Sequence, residues 1–128
     1  MKLLLDTCTF LWLVSGDEAL SSRASELIKD PENPVALSAA SAWEIAVKHA
    51  LGKLPLPADP DQFVPTQRAS HRIDSLDLDE AAALHVHRLP SLHRDPFDRM
   101  LISQAMTGGF VLLTPDATIR QYPVSTIW

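Results

Sequence analysis

One cysteine, no long apolar run and no excess of basic residues set the first limits on this chain. Cys8 stands alone, which excludes an internal disulfide and any zinc site built from several thiolates, and suits a reducing cytoplasm. The N-terminal apolar segment is broken at Asp6 and again at Ser15-Gly16-Asp17-Glu18. It is too short for a bilayer span and has no small-residue cleavage site, so neither anchor nor signal peptide is expected. A net charge of −5 argues against general affinity for polyanions. Residues 68–99 hold five arginines against six acids, so there is no basic stripe, and any nucleic-acid contact must depend on local placement. Repeats, low-complexity tracts and linkers are also missing. The 128 residues predict a single domain, 1–128, large enough to bury a core.

What is present is an alternation of short apolar runs with helical patterns. Leu3–Leu5, Val35–Ser38, Ile73–Leu76, Phe110–Leu113 and Val124–Ile127 read as strands. Between them, Thr7 or Thr9 caps a helix over Phe10–Val14, and Ser21 or Ser22 opens another to about Lys29. Ser41-Ala42-Trp43-Glu44 starts a helix with Trp43, Val47 and Ala50 on one face, closed by Gly52. The proline-rich stretch 54–65 holds a loop plus a helix whose bounds the pattern leaves open. Asp79 caps a helix with Ala82, Val86 and Leu89 at helical spacing, and Asp95-Pro96 starts one with Phe97, Leu101 and Ala105 inward. Short apolar strands alternating with helices predict an α/β fold, with a parallel sheet covered on both faces.

In such a sheet every strand points the same way, and each following helix begins near the C-terminal edge. Asp6 follows the first strand; Glu44 enters the helix after the second. Asp95 and Asp98 open the last long helix, and Asp116 follows the strand ending at Leu113. These acids, spread over more than a hundred positions, are all expected at one edge, where open α/β sheets bind ligands. Each has a purely structural account as well. Asp6 can cap a helix, Ser41-x-x-Glu44 is a capping box, Asp95 is an N-cap before proline, and Asp116 follows a Thr-Pro turn. Several carboxylates gathered within a few ångströms repel one another, however, and a bound cation relieves that conflict. Oxygen donors without cysteine suit Mg²⁺ or Mn²⁺ better than Zn²⁺. Such an ion acidifies a bound water and neutralises charge on a phosphodiester.

The chain resembles the PIN-domain ribonucleases, and specifically the VapC toxins of bacterial toxin–antitoxin pairs. The resemblance rests on Leu3-Leu4-Leu5-Asp6-Thr7 with Leu11-Trp12, on Ser38 to Lys48, and on Gly52-Lys53-Leu54. His93-Arg94-Asp95-Pro96-Phe97-Asp98-Arg99-Met100-Leu101-Ile102, Leu113-Thr114-Pro115-Asp116 and Tyr122-Pro123-Val124 complete it. It implies a three-layer α/β/α sandwich with a short parallel sheet, and a Mg²⁺- or Mn²⁺-dependent endoribonuclease hydrolysing RNA phosphodiester bonds. By motif, Asp6, Glu44, Asp95 and Asp98 become catalytic, with Asp6, Asp95, Asp98 and Asp116 as metal ligands. A VapB-type antitoxin is the implied partner, homodimerisation is implied as well, and the first helices would offer the antitoxin its groove.

Thr7, Lys48, Arg94, Arg99 and Thr114 are candidate substrate contacts, with Lys53 beside them. Lys48, Arg94 and Arg99 can equally pair with Glu44, Asp95 and Asp98. Four of the five histidines lie between His71 and His93. His85 and His87, two apart on a predicted helix, diverge and cannot chelate zinc together. Phosphatase or phospho-acceptor chemistry at Asp6 is a rival, but Cys8 stands where the haloacid dehalogenase type needs a second aspartate. No lysine follows Lys53, where receiver domains need one. The non-enzymatic rival is a catalytically inactive PIN fold that only binds a partner.

Overall fold

A computed structural model describes residues 1–128. Five parallel strands form one sheet: β1 (Leu3–Leu5), β2 (Val35–Ser38), β3 (Asp74–Leu76), β4 (Val111–Leu113) and β5 (Thr126–Ile127), in the order β3-β2-β1-β4-β5. Leu4 pairs with Ala36 on one side and Leu112 on the other, which places β1 at the centre. A central parallel strand is buried on both faces, and this is why three consecutive leucines form it without polar alternation. Leu3 and Leu5 point into one core with Phe10, Leu37, Ile45 and Leu113. Leu4 points into the other with Leu101, Ile102, Leu112 and Ile119. All three leucines are fully buried, each contributing about 2 kcal/mol by area.

Helices α1 (Thr7–Ser15), α2 (Ser22–Lys29), α3 (Ala39–Ala50) and α4 (Pro60–Ser70) contribute to the first core. Helix α6 (Pro96–Gly108) contributes to the second, and α5 (Glu80–His85) packs on α6. The expected α/β/α layering is therefore present. Ser21 and Asp79 cap α2 and α5 as predicted, accepting from the amides of Ala24 and Ala82. Helix α6 stops where Gly109 takes φ +69°, a left-handed conformation that costs glycine least.

Four local expectations are corrected. Helix α1 starts at Thr7, so Thr7 and Thr9 lie inside it rather than capping it. Helix α3 starts earlier than predicted: Ser38, not Ser41, accepts from the Ala40 amide, and no capping box forms. Its buried face is Ala40, Ser41, Glu44 and Ile45, so Trp43 (61% exposed) and Ala50 point outward, and Leu51 beyond the helix is exposed too. The helix after Asp79 ends at His85 and tightens into a 3-10 turn over Val86–Arg88, because Pro90 disfavours helical backbone at Leu89.

Candidate active site

Asp6 leaves the buried end of β1. Its amide donates to the Leu113 carbonyl (3.1 Å) and its carbonyl accepts from Phe10 (3.1 Å). The main chain of Asp6 thus occupies the N-cap position of α1, while its side chain makes no capping bond. The carboxylate instead accepts from Thr114 Oγ1 (2.6 Å), across from β4. Burial raises its pKa, the Thr114 hydrogen bond pulls it back, and Glu44 and Asp116 add repulsion; the net shift is upward.

Glu44 sits in α3 on the buried face. Thr7 Oγ1 donates to its Oε1 (2.7 Å) and lies 2.9 Å from the Ser41 hydroxyl. Its other oxygen pairs with Lys48 one turn along, and this hydrogen bond raises the lysine pKa. Ser41, read from the sequence as a cap, therefore belongs to a buried hydroxyl pair under the site.

Asp95 caps α6 through Oδ1, accepting from Phe97 (2.8 Å) and Asp98 (3.4 Å) amides. Asp98 follows in the first turn. Burial, then the charges of Asp6 and Asp95, push its pKa up to about 7, against a lowering by His93. Asp116 accepts from the Thr118 (2.8 Å) and Ile119 (3.0 Å) amides, and its own amide donates to Thr114 Oγ1 (3.1 Å). Burial works against its charge, but the Ile119 amide, His93 and the Thr118 amide together bring its pKa below the usual value.

All five acids line one cleft of about 500 Å³, together with Thr7, Lys48, Lys53 and Cys8. Burial and the nearby Asp6 push the Cys8 thiol up to about 12, which rules it out as a thiolate nucleophile near neutrality. Thr114 lies directly behind Asp6, fully buried. Arg94 and Arg99 do not line the cleft, and neither forms an ion pair with Asp95 or Asp98. The Arg99 guanidinium instead donates to the Pro90 and Val86 carbonyls (2.9 and 3.3 Å) and to Tyr122 Oη (3.1 Å), bracing the loop before α6. Of the two histidines weighed for zinc, His85 is half-buried and His87 exposed.

One residue of the site escaped the sequence reading. His93 Nε2 lies 3.0 Å from Asp98 Oδ2 and 3.3 Å from Asp116 Oδ2. The only signal was its place in the stretch His93 to Asp98, where a histidine five positions before an acid carries no known periodicity. The donor set as a whole is oxygen-rich, with Lys48 ion-paired to one of the five acids. Burial first, and then the charges of Asp6 and Asp95, work against an ionised Asp98, and a divalent cation held by Asp6, Glu44, Asp95, Asp98 and Asp116 fits such a set.

A family model described as PIN domain matches residues 3–124. Over 72 residues the chain is 38% identical to Ribonuclease VapC16 of Mycobacterium tuberculosis, a match that spans 56% of this chain and 50% of that protein. Three solved complexes share the fold. VapBC2 from Rickettsia felis, bound to a DNA fragment from its promoter, superposes with a TM-score of 0.75 at 15% identity, covering 100% of this chain and 99% of that one. DNA-bound VapBC from Salmonella typhimurium gives 0.70 at 17% identity, covering 99% and 97%. FitAB bound to the IR36 DNA fragment gives 0.68 at 19% identity, covering 98% and 93%.

Proposed function

The chain belongs to the PIN-domain family, and from that premise we propose that it is the toxin of a toxin–antitoxin pair, a divalent-metal-dependent endoribonuclease of VapC type. The observation that supports this reading is the convergence of five carboxylates from four chain segments into one cleft. Asp6 and Asp98 form its centre, with Asp95 and Asp116 as further ligands and Glu44 as the second buried acid. Mg²⁺ or Mn²⁺ is the ion that such oxygen donors favour. When bound, it supplies a more acidic water and neutralises charge on the phosphoryl oxygens.

The chain's own residues do the rest. Thr114 donates to one oxygen of Asp6 and so aims the other, whereas Glu44 is held on both oxygens, by Thr7 and by Lys48. Lys53, on the cleft lining, would meet a phosphate of the incoming strand, and Lys48, also on the lining, would do so from its pairing with Glu44. With a net charge of −5 and no excess of arginine over acid in residues 68–99, the substrate is held at the cut site rather than along a long track. A VapB-type antitoxin is the proposed partner, the toxin is proposed to dimerise, and a cytoplasmic setting suits its one unpaired thiol. No helix is long and apolar enough to cross a membrane.

Purified protein, free of antitoxin, is assayed on total RNA with Mg²⁺ or Mn²⁺, then with EDTA, beside Asp6→Asn prepared identically. Internal cleavage that EDTA abolishes, that added metal restores and that the variant lacks is the expected result. Cleavage that survives EDTA, or equal cleavage by the variant, rules the mechanism out. A folded protein that binds its antitoxin yet cuts no RNA is instead an inactive partner-binding module.

A further inference from the structure

We propose that His93 is a positioning residue of the cation site: an imidazole beside the cleft whose Nε2 lies between Asp98 and Asp116, donates to them and so sets their separation. The inference rests on the cation-dependent reading above. His93 is not among the residues lining the cleft, whereas both of its acidic partners are. It therefore approaches them from beside the lining rather than as part of it. The loop that carries it is pinned, since the amides of Leu92 and His93 both donate to Tyr122 Oη (3.1 and 2.8 Å).

The competing role is direct ligation, because His93, Asp98 and Asp116 each present a donor atom within 4.8 Å of the other two. The other ring nitrogen decides between the two roles. His93 Nδ1 accepts from the Asp95 amide at 3.2 Å. That amide is a fixed main-chain donor at the start of α6, so Nδ1 is the accepting nitrogen and Nε2 the donating one. Ligation through Nε2 would move the proton to Nδ1, where it would face the Asp95 N–H, donor against donor. The arrangement fits a carboxylate–histidine contact in which the acids hold the cation and the imidazole orients the acids. It also links three acids through one ring, since the Asp95 amide fixes the tautomer that Asp98 and Asp116 read.

Two measurements on the full chain without RNA test this. Manganese titration calorimetry compares wild type with His93→Ala and His93→Gln, the latter keeping a side-chain N–H donor. Nitrogen-15 spectra of the wild-type imidazole are recorded with and without saturating Mg²⁺. The alanine variant is expected to bind Mn²⁺ at least about 10-fold more weakly, with glutamine recovering most of the loss, and Nε2–H is expected to persist in Mg²⁺. Loss of the Nε2 proton on Mg²⁺ addition, or unchanged or tighter Mn²⁺ binding by His93→Ala, overturns the proposal. Should His93→Ala fail to fold, the wild-type spectra decide alone. A protein that binds Mn²⁺ through this network but cuts no RNA refutes the nuclease reading and leaves this one standing. Cleavage by His93→Ala at wild-type Mn²⁺ affinity does the reverse.

Discussion

On one side of the cleft, Asp6 and Glu44 are each only 5% exposed and each accepts from a threonine hydroxyl. On the other, Asp95, Asp98 and Asp116 are half-buried at chain turns and are held by main-chain amides and His93. The first pair stands at the end of β1 and on α3, against the larger core, and each carboxylate is held there by a buried hydroxyl. The second set stands on a loop and a helix start, where the backbone itself supplies the donors. Threonine hydroxyls hold the first wall and turn conformation sets the second, while burial raises the pKa of Asp6 in one and of Asp98 in the other. A cation site assembled this way has one fixed jaw and one compliant jaw.

The sharpest attempt to break this contrast neutralises one acid from each jaw. Glu44→Gln removes a buried charge that no neighbour can replace, and leaves Lys48 without its partner. Cleavage is expected to fall by at least about 10²-fold, beyond the range typical of outer-layer partners. Asp116→Asn keeps the oxygen that accepts from Thr118 and Ile119, so the turn survives, and about 10-fold loss or less is expected. Single-turnover rates at saturating Mn²⁺ measure both, and equal losses would erase the distinction between the jaws.

A smaller effect separates the two threonines. Thr114 Oγ1 donates to Asp6 and accepts from the Asp116 amide, so it ties one jaw to the other. Thr7 serves Glu44, which also has Lys48. Thr114→Val is expected to weaken Mn²⁺ binding about 10-fold and to cost roughly 1–3 kcal/mol, because the Asp116 amide loses its acceptor. Thr7→Val should move Mn²⁺ affinity less. Calorimetric titration and denaturant melts of the two variants give the order, and a larger affinity loss for Thr7→Val would reverse it.

The fixed jaw was largely legible in the sequence, and the compliant one only in part. A continuous Leu-Leu-Leu run means a strand buried on both faces, and parallel strands bring their ends to one edge, so Asp6 and Glu44 could be placed without coordinates. Local grammar misled where two serines both satisfied it. Ser38 and Ser41 each precede a helical pattern, and burial against Thr7, a contact 34 positions away, decided which one capped. Trp43 reads as core by hydrophobicity alone, yet it lies on the outer face of α3 with its ring edge-on to Phe97. Arg99 beside an acid suggests pairing or phosphate, but three acceptors in the folded loop claim its guanidinium. His93 depended on the same loop, whose shape is set by Tyr122, 29 positions further on. Long-range contacts of this kind leave no period for a sequence to display.

The mildest test concerns pH and asks whether the compliant jaw is strained before a cation arrives. The folded pKa of Asp98, about 7, lies above its ordinary 3.8. Below the ordinary value both states are protonated and the group does not affect stability. Between the two values the folded protein keeps the proton that the unfolded chain releases, so stability falls as pH rises, by at most roughly 1.4 kcal/mol per unit. Above the folded value the loss is complete. In chelator, Asp98→Asn is therefore expected to melt a few degrees higher than wild type at about pH 8, with the gap closing toward about pH 4. Adding Mg²⁺ should raise the wild-type melting temperature by mass action and the variant's much less. A gap that stays constant across that range would mean that Asp98 is already ionised without strain. The cation would then be drawn to a site whose repulsion the protein had resolved by itself, and His93, whose Nε2 contacts both Asp98 and Asp116, would be the group resolving it.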